Sequence, residues 1–239
     1  SFSKLNTVFL QLIVMIMSFA PLGVFCLIGK FVIADGLDIF QDVVAYVVLL
    51  ISLLLFHAAF TYSFFLKAIG GLNPLTFFRK MKDVALFAFS TSSSAATIPV
   101  TLRTANQDLG VNQNVASFVV PVGATINMDG TAIMQGLATV FIAQMSGIDL
   151  TLFQYVQVVL LAVATSIGTA AVPSAGTITL IIILQQFNLP LEAIGIILAV
   201  DRVLDMIRTS VNVTGDAAIA CIVAKTENQL DENIFNSKG

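Results

Sequence analysis

Long apolar runs follow one another along the chain, each about as long as a helix that crosses a membrane. They cover residues 7–33, 43–69, 115–146 and 189–225. A helix needs about 20 residues to cross a hydrocarbon core of ~30 Å, so every run is long enough to span a bilayer. The pattern predicts an all-α, multi-pass membrane protein.

Two further apolar segments are interrupted by small and polar residues. Residues 85–103 contain STSSSAATIPVT, and residues 152–187 contain ATSIGTAAVPSAGT. Backbone that leaves helical geometry at membrane depth must be satisfied by protein or by a water-filled cavity. We therefore predict two re-entrant helical hairpins, at 84–103 and 152–187, with tips near the middle of the membrane.

Each predicted hairpin is followed by a long helix with a polar interruption, NMDGT at 127–131 and NVTGD at 212–216. The order of hairpin and broken helix thus occurs twice, which indicates an internal repeat. If basic residues mark the cytoplasmic side, the first hairpin enters from the cytoplasm and the second from outside. We predict two broken transmembrane helices within inverted repeats, the arrangement of a secondary transporter whose site lies at the repeat interface.

The distribution of charge supports this topology. The basic residues Lys67, Arg79, Lys80, Lys82 and Arg103 place the loops near them in the cytoplasm, whereas the acidic loops fall on the other side. The C-terminal tail is then cytoplasmic. Only 10% of the residues are charged and the net charge is −3, which argues against a nucleic-acid partner.

The last apolar run carries a stripe of polar residues within roughly a quarter of the helix circumference. Its members are Asp201, Asp205, Arg208, Asn212 and Asp216. Three carboxylates and a guanidinium facing lipid would cost on the order of 10 kcal/mol, so the stripe must face protein, water or a ligand. One alternative is that Asp205 and Arg208 neutralise one another. Because acids outnumber bases, we expect carboxylates that lack protein partners and bind cations together with free carbonyl oxygens.

Four motifs stand in a characteristic order and spacing: SSSAATIPVT, GATINMDGT, SIGTAAVPSAG and DMIRTSVNVTGD. Together they closely resemble the glutamate transporter family, the dicarboxylate/amino acid:cation symporters. The resemblance covers residues 4–227 and corresponds to the family's last two-thirds, from its fifth to its eighth membrane helix with both hairpins. It implies a scaffold helix and outer loop at 1–42, a transport domain at 43–239 and a homotrimer in the complete protein.

The resemblance implies a substrate site between the hairpin tips and the last helix. Asp205 would receive the amino group of an amino acid, and Arg208, helped by Thr131, would pair bidentately with a side-chain carboxylate. Both tips and Asn212 would hold the α-carboxylate, and Thr209 would line the pocket. The implied substrate-binding residues are Ser92, Ser94, Thr131, Val172, Gly176, Asp205, Arg208, Thr209 and Asn212.

The resemblance also implies sodium as the coupling ion, bound at three sites. The first would use the carbonyls of Gly123, Asn127 and Asn212 with the Asp216 carboxylate. The second would use Thr125, Met128, Ser166, Ile167 and Thr169. The third would combine Asn127 and Asp129 with one of the family's first four helices, which have no counterpart in this sequence.

The sequence departs from the family pattern near the pocket. Members often carry a second Arg in the first tip or two residues before the pocket Arg, and here these positions are Ser92 and Met206. This leaves open whether a counter-ion is coupled and whether Arg202 compensates. We interpret Arg202 as part of an interhelical or interfacial ion pair, and His57 as a satisfied packing residue rather than a proton carrier.

These observations predict a secondary active symporter of glutamate or aspartate driven by sodium, and not an enzyme. It would work by alternating access, with the second hairpin as outer gate. Asp205 favours an amino acid over a plain dicarboxylate, and Asp216 favours sodium over protons. The alternatives are a proton-coupled dicarboxylate or amino-acid symporter, a channel, and an intramembrane aspartyl protease built on Asp129 and Asp216. The expected location is the plasma membrane, as in the inner membrane of a bacterium.

Overall fold

The computed structural model of the chain describes residues 39–237 and six isolated positions before them, 15, 22, 25, 26, 29 and 33. The helix predicted at 7–33 and most of the scaffold unit predicted at 1–42 lie outside the described residues.

The described chain consists of helices joined by short turns. They are α1 (Ile39–Phe56), a π-helical turn (His57–Tyr62), α2 (Ser63–Ala68), α3 (Pro74–Thr91), α4 (Ser94–Gln107), α5 (Gln113–Ile126), α6 (Asp129–Met145), α7 (Leu152–Ile167), α8 (Ala175–Gln186), a 3₁₀ turn (Leu191–Ala193), α9 (Ile194–Thr226) and α10 (Glu232–Asn236). Among the described residues, extended pairing is limited to one isolated bridge between Val111 and Leu230. The predicted all-α class is confirmed.

Helix α1, the π turn and α2 form one continuous helix. Within the described part of the chain, it is the one helix that is both long and apolar enough to cross a membrane. Large apolar side chains along it are exposed, among them Val44, Val48, Leu55 and Phe64. A continuous apolar surface of this kind is typical of contact with a membrane or another protein.

The first helix pair, α3 and α4, is joined by a tight turn at Ser92 and Ser93. Asn73 caps α3 through its side chain, and Pro74 occupies the first helical position. Ser92 ends α3 in the left-handed conformation, with φ of 51°. The hydroxyl oxygen of Ser93 accepts the N–H of Ala96 at 3.2 Å and so begins α4.

These helices extend well beyond the hairpin predicted at 84–103. Because α3 begins at Pro74, the basic cluster is helical rather than part of a loop. Arg79 and Lys82 are exposed, whereas Phe77 on the opposite side is fully buried. The charges therefore form the polar face of an amphipathic helix.

The second helix pair, α7 and α8, agrees with the predicted bounds of 152–187. Thr151 and Gln154 form a reciprocal capping box that begins α7. The chain then leaves helical geometry over residues 168–174. Ser174 is left-handed, with φ of 58°, immediately before α8.

One of the two predicted helix breaks is confirmed and the other is wrong. The helix predicted at 115–146 is interrupted at Asn127 and Met128, which separate α5 from α6. By contrast, α9 is a single α-helix of 33 residues that continues through the motif at 212–216.

Gly215 shows why the second motif does not break the helix. A Cβ at this position would lie 2.5 Å from Nδ2 of Asn127 and 2.6 Å from Oη of Tyr62. The glycine therefore lets neighbouring side chains approach the helix rather than ending it. A continuous helix also keeps its backbone hydrogen bonds, which are costly to lose in a membrane.

Helix α9 is the centre of the fold. It packs against α1, α3, α4, α5, α6 and α8. All five members of the predicted polar stripe are buried. The stripe was expected to face protein, water or a ligand, and in the described chain it faces protein.

The C-terminal segment after α9 folds back on the connection between α4 and α5. The N–H of Asp231 donates to the carbonyl of Gly110 at 2.8 Å, and the N–H of Asn112 donates to the carbonyl of Gln229 at 3.0 Å. Phe235 is fully buried. The segment is thus packed against the helical body.

Candidate functional site

The turns of the two helix pairs contact each other. The hydroxyl of Ser93 donates to the carbonyl oxygen of Ala171 at 2.8 Å. The N–H of Ala95 donates to the same oxygen at 3.3 Å. The fold therefore brings together the two segments that the sequence predicted as hairpin tips.

A small cavity lies where these turns meet the middle of α9. All nine residues predicted to bind substrate line it, together with Met128, Thr169, Ala170 and Ala171. The cavity volume that the centre of a water molecule can occupy is about 10 Å³. This is about the room that one water molecule needs, so a larger ligand can enter only if the walls move apart.

Arg208 is paired with carboxylates of its own helix. It forms an ion pair with Asp205, and its Nη1 lies 3.9 Å from Oδ1 of Asp201. Asp205 also accepts the N–H of Ser174 at 2.9 Å, and Asp201 accepts the hydroxyl of Thr177 at 2.7 Å. The expectation that these carboxylates lack protein partners is wrong. Residues three apart lie on one helix face, so the opposite charges meet within α9.

Some hydrogen-bonding capacity beside this pair is unused. Three buried atoms have no hydrogen-bond partner among the described residues: Nη1 of Arg208, Oδ2 of Asp201 and Oη of Tyr46. Buried polar groups are normally satisfied. Because Arg208 lines the cavity, this nitrogen, which has no hydrogen-bond partner, is chemically suited to an anionic group.

Asn212 joins α9 to the break between α5 and α6. Its Oδ1 accepts the N–H of Gly130 at 2.7 Å, and its Nδ2 donates to the hydroxyl of Thr131 at 3.3 Å. A Cβ on Gly176 would lie 2.8 Å from Cγ2 of Thr131 and 3.1 Å from Nη1 of Arg208. Glycine at 176 thus permits the close packing of the predicted site residues.

The first predicted sodium set converges beside the same break. Nδ2 of Asn127 donates to Oδ1 of Asp216 at 3.1 Å and to the carbonyl of Asn212 at 3.3 Å. A Cβ on Gly123 would lie 2.6 Å from Oδ1 of Asp216, so that carboxylate contacts the Gly123 backbone. The described residues contain no group of three or more His, Cys, Asp or Glu suited to a metal ion. The predicted donor set consists of one carboxylate and carbonyl oxygens, the ligand type that hard cations such as Na⁺ take.

The second predicted sodium set is only partly brought together. Met128 and Thr169 line the cavity, and Ser166 is buried. Thr125 is exposed, and Ile167 is 47% exposed. The structure leaves Thr125 and Ile167 outside the cavity.

Asp129, predicted for the third sodium set, is bound by two residues of the π turn. Nε2 of His57 and Oη of Tyr62 each lie 3.1 Å from Oδ2 of Asp129. His57 is therefore satisfied by a hydrogen bond, as predicted. Tyr62 was missed because a tyrosine in an apolar helix belongs to no motif, and residues five apart do not share an α-helical face.

Gln135 is a second residue that the sequence analysis missed. Its Nε2 donates to the carbonyl of Gly176 at 3.0 Å and to the hydroxyl of Thr179 at 2.7 Å. Its Oε1 accepts the hydroxyl of Thr165 at 2.8 Å. This fully buried amide thus ties α6 to both helices of the second pair.

Arg202 has a different partner from the one predicted. Its Nη1 donates to the hydroxyl of Ser92 at 3.3 Å. Among the described residues, Arg202 forms no ion pair. The side chain reaches the first turn because it lies on the exposed edge of α9, outside the buried stripe.

Comparison with known proteins extends the resemblance of the motifs to almost the whole chain. The model of the sodium:dicarboxylate symporter family matches residues 1–226. Excitatory amino acid transporter 2 of Homo sapiens and an excitatory amino acid transporter of Caenorhabditis elegans are each 42% identical over 224 residues. Excitatory amino acid transporter 3 of Mus musculus is 40% identical over 225 residues.

These alignments cover most of this chain but less than half of each relative. They include 93%, 93% and 94% of the chain, against 39%, 44% and 43% of the three relatives. The chain therefore spans about two-fifths of the length of the curated relatives it matches.

Proposed function

This chain belongs to the sodium:dicarboxylate symporter family, and we propose that it forms the substrate-binding part of a sodium-driven symporter of glutamate or aspartate. The family is one of membrane transporters and not of enzymes, so the aspartyl protease alternative is not favoured. The names of the relatives support an acidic amino acid as the substrate.

The observation that carries this proposal is the pairing of Asp205 and Arg208 at a cavity lined by both turns. A carboxylate beside a guanidinium is complementary to a molecule with an ammonium group and a second carboxylate. Arg208 would bind the side-chain carboxylate bidentately, and Asp205 the ammonium. N–H groups of the turns and the amide of Asn212 would bind the α-carboxylate, helped by the positive end of a helix.

Binding of this substrate would exchange protein contacts for ligand contacts. The ion pair between Arg208 and Asp205 would open, so that each group meets the opposite charge on the substrate. Because the cavity is so small, the turns must part during entry. We assign the outer gate to the second hairpin, at 152–187, as the family resemblance implies.

Sodium would be held by the oxygen donors that converge at Asp216. Gly123, Asn127 and Asn212 would add carbonyl oxygens to that carboxylate, and Asp129 would serve a further site. Bound sodium would supply the positive charge that balances these two carboxylates. Proton coupling is the alternative, and the carbonyl-rich donor set favours sodium over it.

The finer architecture is also part of the proposal. We assign α3–α4 and α7–α8 to two re-entrant hairpins in inverted repeats, residues 43–239 to the transport domain and 1–42 to the scaffold. The complete protein would be a homotrimer in the plasma membrane, as in a bacterial inner membrane, with a cytoplasmic C-terminus. Support comes from the two turns meeting at one site and from the family resemblance.

Uptake by the complete protein in liposomes tests the proposal. Labelled aspartate should accumulate when sodium is high outside and low inside, and unlabelled glutamate should compete. Liposomes with equal sodium on both sides, and liposomes with choline in place of sodium, are the controls. Uptake that is indifferent to the sodium gradient would contradict sodium coupling.

A further inference from the structure

The π turn in the first described helix holds the Asp129 carboxylate by one oxygen. Both His57 and Tyr62 bind Oδ2, each at 3.1 Å. Their rings also contact each other edge to face, with centroids 5.0 Å apart. Among the described residues, no side chain or backbone N–H binds Oδ1. Within the described chain, one carboxylate oxygen is thus fixed and the other has no hydrogen-bond partner.

This double contact depends on the π-helical geometry. In an α-helix, residues five apart point in directions that differ by about 140°. A π turn bonds residue i to residue i+5, which brings His57 and Tyr62 to the same side of the helix. The turn occurs within an otherwise α-helical run and at the two residues that meet Asp129. Isolated π turns of this kind are frequent at functional sites.

We call His57 and Tyr62, which hold Oδ2 of Asp129, the clamp. Tyr62 also connects this clamp to α9. Its hydroxyl lies 3.1 Å from the carbonyl oxygen of Val211. It would lie 2.6 Å from a Cβ on Gly215, the residue beside Asp216. The clamp is therefore adjacent to the carboxylate on which the first sodium set depends.

We propose that the π turn is a positioning device, in which His57 and Tyr62 hold one oxygen of Asp129 so that its other oxygen can bind a coupling sodium ion. Both are positioning residues that act through Asp129. The inference rests on the proposed sodium coupling, and it adds two residues and a backbone distortion to the cation site.

The test uses the purified complete protein and two measurements. The first is the rise in melting temperature on titration with NaCl against choline chloride, which reports sodium binding without transport. The second is aspartate uptake at saturating sodium, which reports substrate binding and turnover. Tyr62→Phe removes the hydroxyl and keeps the ring, and His57→Leu removes the ring nitrogens.

Both variants should raise the sodium concentration for half-maximal stabilisation by about tenfold, the size of a lost hydrogen bond to a charged group. The aspartate KM at saturating sodium should change by less than about twofold, because sodium then restores the site. His57→Gln, which keeps an N–H donor, should recover most of the sodium affinity lost in His57→Leu. Tyr155→Phe, an equivalent change on α7 away from the site, is the matched control.

Deletion of Ala59 tests the backbone element itself. Removing one residue should convert the π turn to an α-helical turn in which His57 and Tyr62 are four apart and still share a face, so the sodium affinity should stay closer to that of the unaltered protein than to that of Tyr62→Phe. If the deletion variant does not fold, Tyr62→Phe and His57→Leu still show whether these side chains support sodium binding. Folded Tyr62→Phe and His57→Leu proteins with unchanged sodium titration would overturn the inference.

The outcomes separate this inference from the proposed function. If sodium stabilises the unaltered protein but does not drive uptake, the proposed function is contradicted. The NaCl titrations of the variants would still support or refute the clamp. Sodium-driven uptake that Asp129→Asn weakens, but that Tyr62→Phe and His57→Leu do not, would retain the function and refute the clamp. A protein that sodium does not stabilise would refute both.

Discussion

The backbone N–H of Ser174 donates a 2.9 Å hydrogen bond to Oδ2 of Asp205, so the second turn is attached to the polar face of α9. Asp205 is also the group proposed to bind the substrate ammonium. A substrate whose ammonium group binds this carboxylate would therefore compete with the hydrogen bond from Ser174. Under the proposed function, substrate entry and movement of the second turn would be coupled through this one side chain.

Asp205→Asn should lower the affinity for aspartate by about tenfold or more while sparing a plain diacid. The variant removes the charge that would pair with an ammonium, and a hydrogen bond to a charged group contributes about 1.5–3 kcal/mol. The measurement is competition of labelled aspartate uptake by unlabelled aspartate and by succinate. If aspartate and succinate lose affinity equally, Asp205 does not recognise the amino group.

Arg208→Lys should lower aspartate affinity by about thirtyfold, equivalent to about 2 kcal/mol. Lysine keeps a positive charge beside Asp205 and Asp201 but loses the planar fork that binds a carboxylate bidentately. Equilibrium binding of labelled aspartate at saturating sodium measures the effect. Arg103→Lys, on the exposed side of α4, is the matched control. A variant that still distinguishes aspartate from alanine as well as the unaltered protein would contradict the role of Arg208.

Gly215→Ala should lower the free energy of unfolding by about 1–3 kcal/mol. The new methyl group would meet Asn127 and Tyr62 at 2.5 and 2.6 Å, and both side chains are fixed by hydrogen bonds. Gly136→Ala is the opposite case, because nothing lies within 4 Å of its Cβ position in α6. That control should be neutral or stabilise by up to about 1 kcal/mol. Melting temperatures of the purified proteins would show the difference, and equal values would refute the close packing at Gly215.

Gln135→Met should loosen the second helix pair without changing side-chain volume greatly. Thr165, Thr179 and the Gly176 carbonyl would keep only their hydrogen bonds within the second pair, and each lost hydrogen bond to α6 contributes about 0.5–1.5 kcal/mol. Hydrogen–deuterium exchange should therefore quicken in residues 175–186. Gln144→Met, an exposed position on the same helix, should leave the exchange unchanged. Unchanged exchange in both variants would mean that Gln135 does not hold the pair.

The sequence predicted the residues around the cavity better than the contacts among them. Ser94, Asp205 and Arg208 belong to motifs with a recognisable order, so their convergence followed from the family resemblance. The sequence also allows the ion pair between Asp205 and Arg208, but the excess of acids over bases favours carboxylates without protein partners. Counting acids and bases along a stripe does not show which charges lie close enough to pair.

The helix break at 212–216 was wrongly predicted for a related reason. A glycine among polar residues is compatible both with an interruption and with close packing of a neighbouring helix. Only the positions of Asn127 and Tyr62 in space decide between the two. The π turn was missed because hydrophobic periodicity assumes α-helical spacing, and one extra residue in a turn leaves no compositional signal.

The hydrogen bonds described between the two turns, from Ser93 and from Ala95, end on a single acceptor, the carbonyl oxygen of Ala171. Rotation of the peptide plane that carries this oxygen would break both hydrogen bonds at once and leave every helix intact. Opening would then require local torsions rather than helix melting, a motion of the kind that loops make in nanoseconds to microseconds. The time spent in the sealed state would then depend on the conformational freedom of residues 170–173 together with the contact between Ser174 and Asp205.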